Sequence, residues 1–199
     1  MLKNINIKSL FIAASLLIIT SCSKDDPEHI HEGEVITRVT LTFTNLADDS
    51  QTVVVWNDEH AGEDDHDHDH DHDHDEEGEH VEIDLAPNST YSVEIKFENA
   101  SDPSDVEDVT LEVIEEADEH QVFFEVVDLN NLTIESADDD ETDNEGNRLN
   151  IKTTWTTTAA ASGDVRAYLI HEPNSKTGTT RDDFGGEVDV QVDYEVHIE

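Results

Sequence analysis

Three things are scarce in this chain: cysteine, positive charge and long apolar runs. Its 199 residues hold one cysteine, Cys22, so neither an internal disulfide nor a multi-thiolate metal cage can be built. Lys and Arg number 10 against 51 Asp and Glu, a formal net charge of −41. Such a chain is repelled by phosphate backbones, which excludes nucleic acid as a partner. Anionic lipid surfaces repel it too, so basic residues cannot hold it on a membrane. Self-repulsion also works against the compact state unless cations neutralise part of it, and extracellular divalent ions are the natural ones. No nucleophile motif, phosphate-binding glycine loop or HExxH helix occurs. Paired carboxylates carry no catalytic information among 51 acids, and an enzyme is not expected.

The longest apolar run, residues 10–19, follows the basic Lys3 and Lys8 and has the length of a signal-peptide core, too short to cross a bilayer. It ends in Ile19-Thr20-Ser21-Cys22, which resembles the lipobox of bacterial lipoproteins. That resemblance implies cleavage after residue 21, acylation of Cys22 and a lipid anchor at the outer membrane. The following Ser23-Lys24-Asp25-Asp26 lacks an inner-membrane retention aspartate and resembles the export signal of surface-exposed lipoproteins. The expected address is therefore the outer membrane, on the cell surface, with residues 22–33 as a lipidated tether.

What the chain has in excess is concentrated in residues 58–80. His66-Asp67-His68-Asp69-His70-Asp71-His72-Asp73-His74-Asp75 is five His-Asp dipeptides in a row, flanked by His60 and His80. Every side chain of the decamer can bind a cation and none can pack a core. Zinc, nickel and copper favour imidazole nitrogen, with carboxylate as a supplementary ligand. The tract is expected to be a long disordered loop holding several overlapping, rapidly exchanging sites, because ordering a flexible loop costs entropy at each binding event. The aspartates raise the histidine pKa values, so protons compete with metal as pH falls.

Outside the tract the sequence alternates in short strands. Residues 35–44, 81–85, 91–97, 121–127, 132–134, 148–158 and 164–171 carry apolar side chains at period two or in dense apolar runs. Residues 52–57 (Thr-Val-Val-Val-Trp-Asn) resemble a strand buried on both faces. Residues 188–198 give the clearest alternation, Val188 through Ile198 against Asp189 through His197, with one apolar and one acidic face. Residues 105–117 have helical spacing (Val106, Val109, Val113, Ile114, Ala117) behind the capping candidates Ser104 and Asp105, and Leu111 falls off the stripe. Short strands separated by turn signals predict an all-β fold, an antiparallel, Ig-like β-sandwich over residues 34–199 with at most one short helix. If the strands flanking the tract pair, the tract is a hairpin loop. Two tandem sandwiches split near residues 100–120 are the alternative.

Glu119-His120-Gln121-Val122-Phe123-Phe124, followed by Gly146-Asn147-Arg148-Leu149 and a Thr-rich strand, resembles a group of small Gram-negative envelope lipoproteins. Members are sometimes filed under a type 1 periplasmic binding fold name, which implies alternating helices and strands. The chain lacks the repeated helices that such a fold needs.

The remaining candidates are weaker in pattern. His29 and His31 lie in the tether and could extend the metal surface. His120, His171 and His197 stand alone in or at the ends of strands and are expected to face solvent or be satisfied locally. Asp139, Glu141, Asp143 and Glu145 alternate before Gly146 and form a candidate calcium turn, without the EF-hand spacing. Together these features predict a lipid-anchored protein that binds zinc or a similar ion for uptake or buffering, working with an outer-membrane receptor or transporter. The alternative is a surface interaction module, a sandwich that binds a protein or glycan.

Overall fold

Period-two alternation decides most of the architecture, because one face of each strand must leave water and the other need not. The computed structural model describes residues 34–58 and 81–199, which all belong to one unit. The signal segment, Cys22, the tether and the tract beyond Asp58 lie outside the described residues.

Sheet A runs in the order β2 (Gln51–Asn57), β1 (Arg38–Asn45), β4 (Thr90–Asn99), β8 (Lys152–Thr157), β7 (Leu132–Ser136), with the two-residue β5 (Glu107–Asp108) also on β4. Sheet B runs β3 (Val81–Leu85), β10 (Glu187–Ile198), β9 (Ala161–His171), β6 (His120–Val127). All pairings are antiparallel except β3 with β10, which is parallel. The two sheets pack as a β-sandwich around one apolar cluster that runs from Ile36 to Ile198.

Trp155 of β8 is fully buried at its centre, edge-on to Phe43 of β1 at 5.2 Å and to Phe124 of β6 at 5.6 Å. It therefore touches both sheets. Its indole N–H donates to Thr153 Oγ1 at 3.0 Å, so no polar atom of the ring is stranded in the core. Leu41, Phe43, Ile95 and Phe97 from sheet A and Val122, Val165, Leu169 and Val196 from sheet B complete the packing. Side chains of this size contribute about 1.5–3 kcal/mol each when removed from water.

Four expectations change. Strand β2 is an edge strand rather than a doubly buried one: Val54 faces the core, while Val53 and Val55 are 56% and 42% exposed. An apolar run is equally compatible with both placements, and only the strand order separates them. The strands flanking the tract do not form a hairpin, since β2 pairs with β1 in sheet A and β3 with β10 in sheet B. The tract thus connects an edge of one sheet to an edge of the other. The predicted helix shrinks to α1 (Thr110–Glu115), with Val109, not Ser104 or Asp105, at the N-cap position and no side-chain capping bond. Val113 and Ala117 bury its inner face and Leu111, off the stripe, is 62% exposed. Finally, a second short helix exists, α2 (Arg181–Phe184). It is set by a Thr180–Asp183 capping box, and its Phe184 covers Phe123, Tyr168 and Ile170 on the outer face of sheet B.

Candidate metal centre

The end of sheet B where β6 begins and β9 ends collects four ionisable side chains. In the β6–β9 ladder His120 stands directly opposite His171. His120 is in phase with the core-facing Val122 and Phe124, and His171 with Val165, Ala167 and Leu169. Both rings therefore point inward, where they stack at 4.9 Å with planes 18° apart. Side-chain exposure is 0% for His120 and 9% for His171.

Two carboxylates close around them. Glu34, just ahead of β1, brings Oε1 to 2.7 Å from His120 Nε2. Asp189 lies in β10 at a break in register, where Val188 pairs with Ile170 but Val190 with Leu169. The extra residue is a β-bulge, which re-aims a side chain that strict alternation would leave on the acidic face. Asp189 Oδ1 consequently sits 3.8 Å from His171 Nδ1, with the side chain 5% exposed. Glu34 Oε2 and Asp189 Oδ2 are buried, and the two carboxyl groups face each other closely enough for a proton on Asp189 to be shared with Glu34.

The surroundings hold this arrangement. His120 Nδ1 lies 3.2 Å from the Glu116 carbonyl oxygen. A carbonyl only accepts, so Nδ1 carries the proton and, in the neutral ring, the Nε2 lone pair faces the cluster. Lys176 Nζ donates to the carbonyls of Ala117 and His120, and Glu172 N–H donates to the Glu119 carbonyl. Behind β9, Gly186 has a left-handed φ of 67°, and a Cβ there would collide with the His171 carbonyl oxygen.

Charge is distributed unevenly. Burial pushes the Glu34 carboxyl up, but the contact with His120 and its charge outweigh burial and hold it down at about 2. For Asp189, burial and the charge of Glu34 act together and push it up to about 7. Burial lowers the His120 pKa, and the contact and charge of Glu34 more than reverse this, leaving it raised.

Two imidazoles and two carboxylates are a zinc-type donor set. One ligand atom from each of the four residues can be chosen so that all lie within 4.8 Å of one another. Around a tetrahedral zinc at 2.0–2.1 Å, ligand atoms are about 3.4 Å apart, so closure asks for side-chain shifts of about 1 Å. The Nδ1–H bond of His120 to a carbonyl is the outer support that metal-bound imidazoles normally have. The residues present fit a tetrahedral divalent ion.

The sequence-predicted sites fare differently. His60, His66 through Asp75, His80 and Cys22 lie outside the described residues. The calcium candidates are not gathered into such a group of three among the described residues. Asp139 is exposed and pairs with Lys152 at 3.3 Å. Asp143 accepts from the backbone N–H groups of Glu145 and Asn147, from Asn147 Nδ2, and pairs with Lys176 at 3.5 Å. It organises the turn at Gly146. His197 joins Glu82 and Glu195 in a more exposed group on the outer face of sheet B.

The expectation that His120 and His171 face solvent is corrected, since both are buried; His120 Nδ1 does have a local partner in the Glu116 carbonyl, while the facing carboxyl groups, Glu34 and Asp189, are remote in sequence. A signal was present, because each histidine keeps the parity of core-facing residues in its strand. For Glu34 there was none, and Asp189 was masked by the bulge. No protein-family model, curated protein or solved structure matches this chain.

Proposed function

We propose that the protein is a lipid-anchored envelope protein that binds a divalent transition metal, zinc above all, and that it does so at two kinds of site. The His-Asp tract of residues 58–80 collects ions in many weak, exchanging arrangements. The Glu34–His120–His171–Asp189 cluster holds one ion in ordered coordination. The observation that carries this reading is the pair of stacked, buried imidazoles facing two buried carboxyl groups, with one ligand atom from each residue within 4.8 Å of the others. Taking such groups out of water costs several kcal/mol per ion, and one dication neutralises both carboxylates at once. Anchoring through Cys22 at the outer membrane, and delivery of the ion to a receptor or transporter, complete the proposal.

Calorimetric titration of the mature chain with zinc tests it. The wild type should show one tight site above several weak ones. Replacing the five decamer histidines by Asn should remove weak sites and spare the tight one, whereas His120→Gln with His171→Gln should do the reverse. A histidine-to-Asn tract variant that binds no zinc would sink the ordered site. The second reading, a sandwich that binds a protein or glycan, has its support in a polar cleft of about 630 Å³ lined by Asp118, Asn144, Asn147, Asn174 and Lys176.

A further inference from the structure

We infer that Glu34 is the exchangeable ligand of the buried site, and that His120, His171 and Asp189 form a fixed three-ligand face through which the protein recognises a tetrahedral divalent ion. The inference rests on the metal reading above and names which residue controls entry and release.

The four ligands differ in what holds them. His120, His171 and Asp189 come from three neighbouring strands of one sheet, β6, β9 and β10; His120 and His171 pair in the β6–β9 ladder, and Asp189 is the bulged residue between the paired Val188 and Val190. Lys176 and Glu116 fix the backbone and ring of His120 from behind. The sheet fixes the backbones that carry all three. Glu34 belongs to neither sheet. It precedes β1, and among the described residues the backbone hydrogen bonds of its segment begin at Thr37, whose N–H donates to the Glu98 carbonyl and whose Oγ1 accepts from Ala100 N–H. Its neighbour Val35 is 58% exposed, and Ile36 anchors the segment in the core. The Glu34 side chain reaches inward to the 2.7 Å contact with His120, and rotation about its own side-chain bonds withdraws it while the sheet stays unchanged.

The chemistry follows from ligand number. With four protein ligands a zinc site is closed and holds its ion; with three it keeps an open position for water or an incoming ligand. Glu34 in place closes the site. Glu34 withdrawn leaves His₂Asp and one open position, the state from which the ion passes to a competing ligand.

The test uses the full mature chain, loaded with zinc and mixed with a competing chelator, alongside Glu34→Gln and Asp189→Asn. Tract-bound ions leave in a fast phase common to all three proteins, and the slow phase reports the buried site. Glu34→Gln should keep a one-ion slow phase but release it at least tenfold faster, whereas Asp189→Asn should lose that phase. Cobalt(II) gives the second readout: azide should change the visible spectrum of cobalt-loaded Glu34→Gln by taking the open position, and leave the wild type unchanged. Wild-type release kinetics in Glu34→Gln, or loss of its slow phase as complete as in Asp189→Asn, would overturn the inference. A wild type without any slow phase would instead defeat the ordered metal site itself.

Discussion

His120 and His171 lie opposite each other across the β6–β9 ladder with their rings stacked 4.9 Å apart inside the sandwich. Two stacked imidazoles in a core are costly unless something binds them, and Glu34 and Asp189 are the ionisable groups that face them. If the cluster exists for an ion rather than for stability, replacing Glu34, His120, His171 and Asp189 together by Leu, so that no charged partner is left behind, should leave the metal-free domain as stable as the wild type or more so. The same variant should lose the thermal shift produced by zinc. Paired melting curves with and without zinc check both halves.

Zinc should raise the melting temperature of the wild type. An ion present at a hundred times its dissociation constant adds about 2.7 kcal/mol. For a domain of this size that corresponds to about 5–10 °C. Excess chelator should return the curve to its metal-free position.

Stability of the metal-free protein should peak in mildly acidic solution. Asp189, pushed up to about 7, holds its proton more tightly when folded; its contribution is complete below the ordinary carboxylate range and is lost as pH rises through about 7. His120, also raised, contributes below its ordinary value and loses that contribution with rising pH. Glu34, held down at about 2, contributes above its ordinary value of 4.5 and loses it as pH falls toward 2. Urea midpoints should therefore fall from about pH 5.5 to pH 8, and Asp189→Asn should flatten that alkaline limb. An unchanged limb in the variant would show that Asp189 is not its source.

Gly186→Ala should damage the site from behind. The substitution forces a left-handed φ on a residue with a Cβ and drives that Cβ against the His171 carbonyl. The expected cost exceeds about 1 kcal/mol, read by denaturant unfolding, with weaker binding of the single tight zinc ion.

Trp155→Ala should be the most damaging of the core truncations, by about 3–5 kcal/mol, since this ring contacts Phe43 in one sheet and Phe124 in the other. Trp155→Phe should cost less. Urea unfolding followed by circular dichroism separates the two.

The sequence by itself determined the strands and the place of the tract between β2 and β3. Alternation in β1, β4, β9 and β10 is legible because backbone geometry fixes a period of two and burial selects one face. The His-Asp tract is legible because composition alone forbids it from a core and suits it to cations. Tertiary structure alone decided where the strands went and what met at the end of sheet B. The same apolar residues in β2 serve a central or an edge strand, and nothing local chooses between them. His120 and His171 become neighbours only when β6 finds β9. Asp189 turns inward only because β10 gains one residue against its partner. Glu34 arrives from the other end of the chain. Pairing between distant strands and a one-residue bulge leave no local periodicity to read, so the tract could be found in the sequence and the buried site could not.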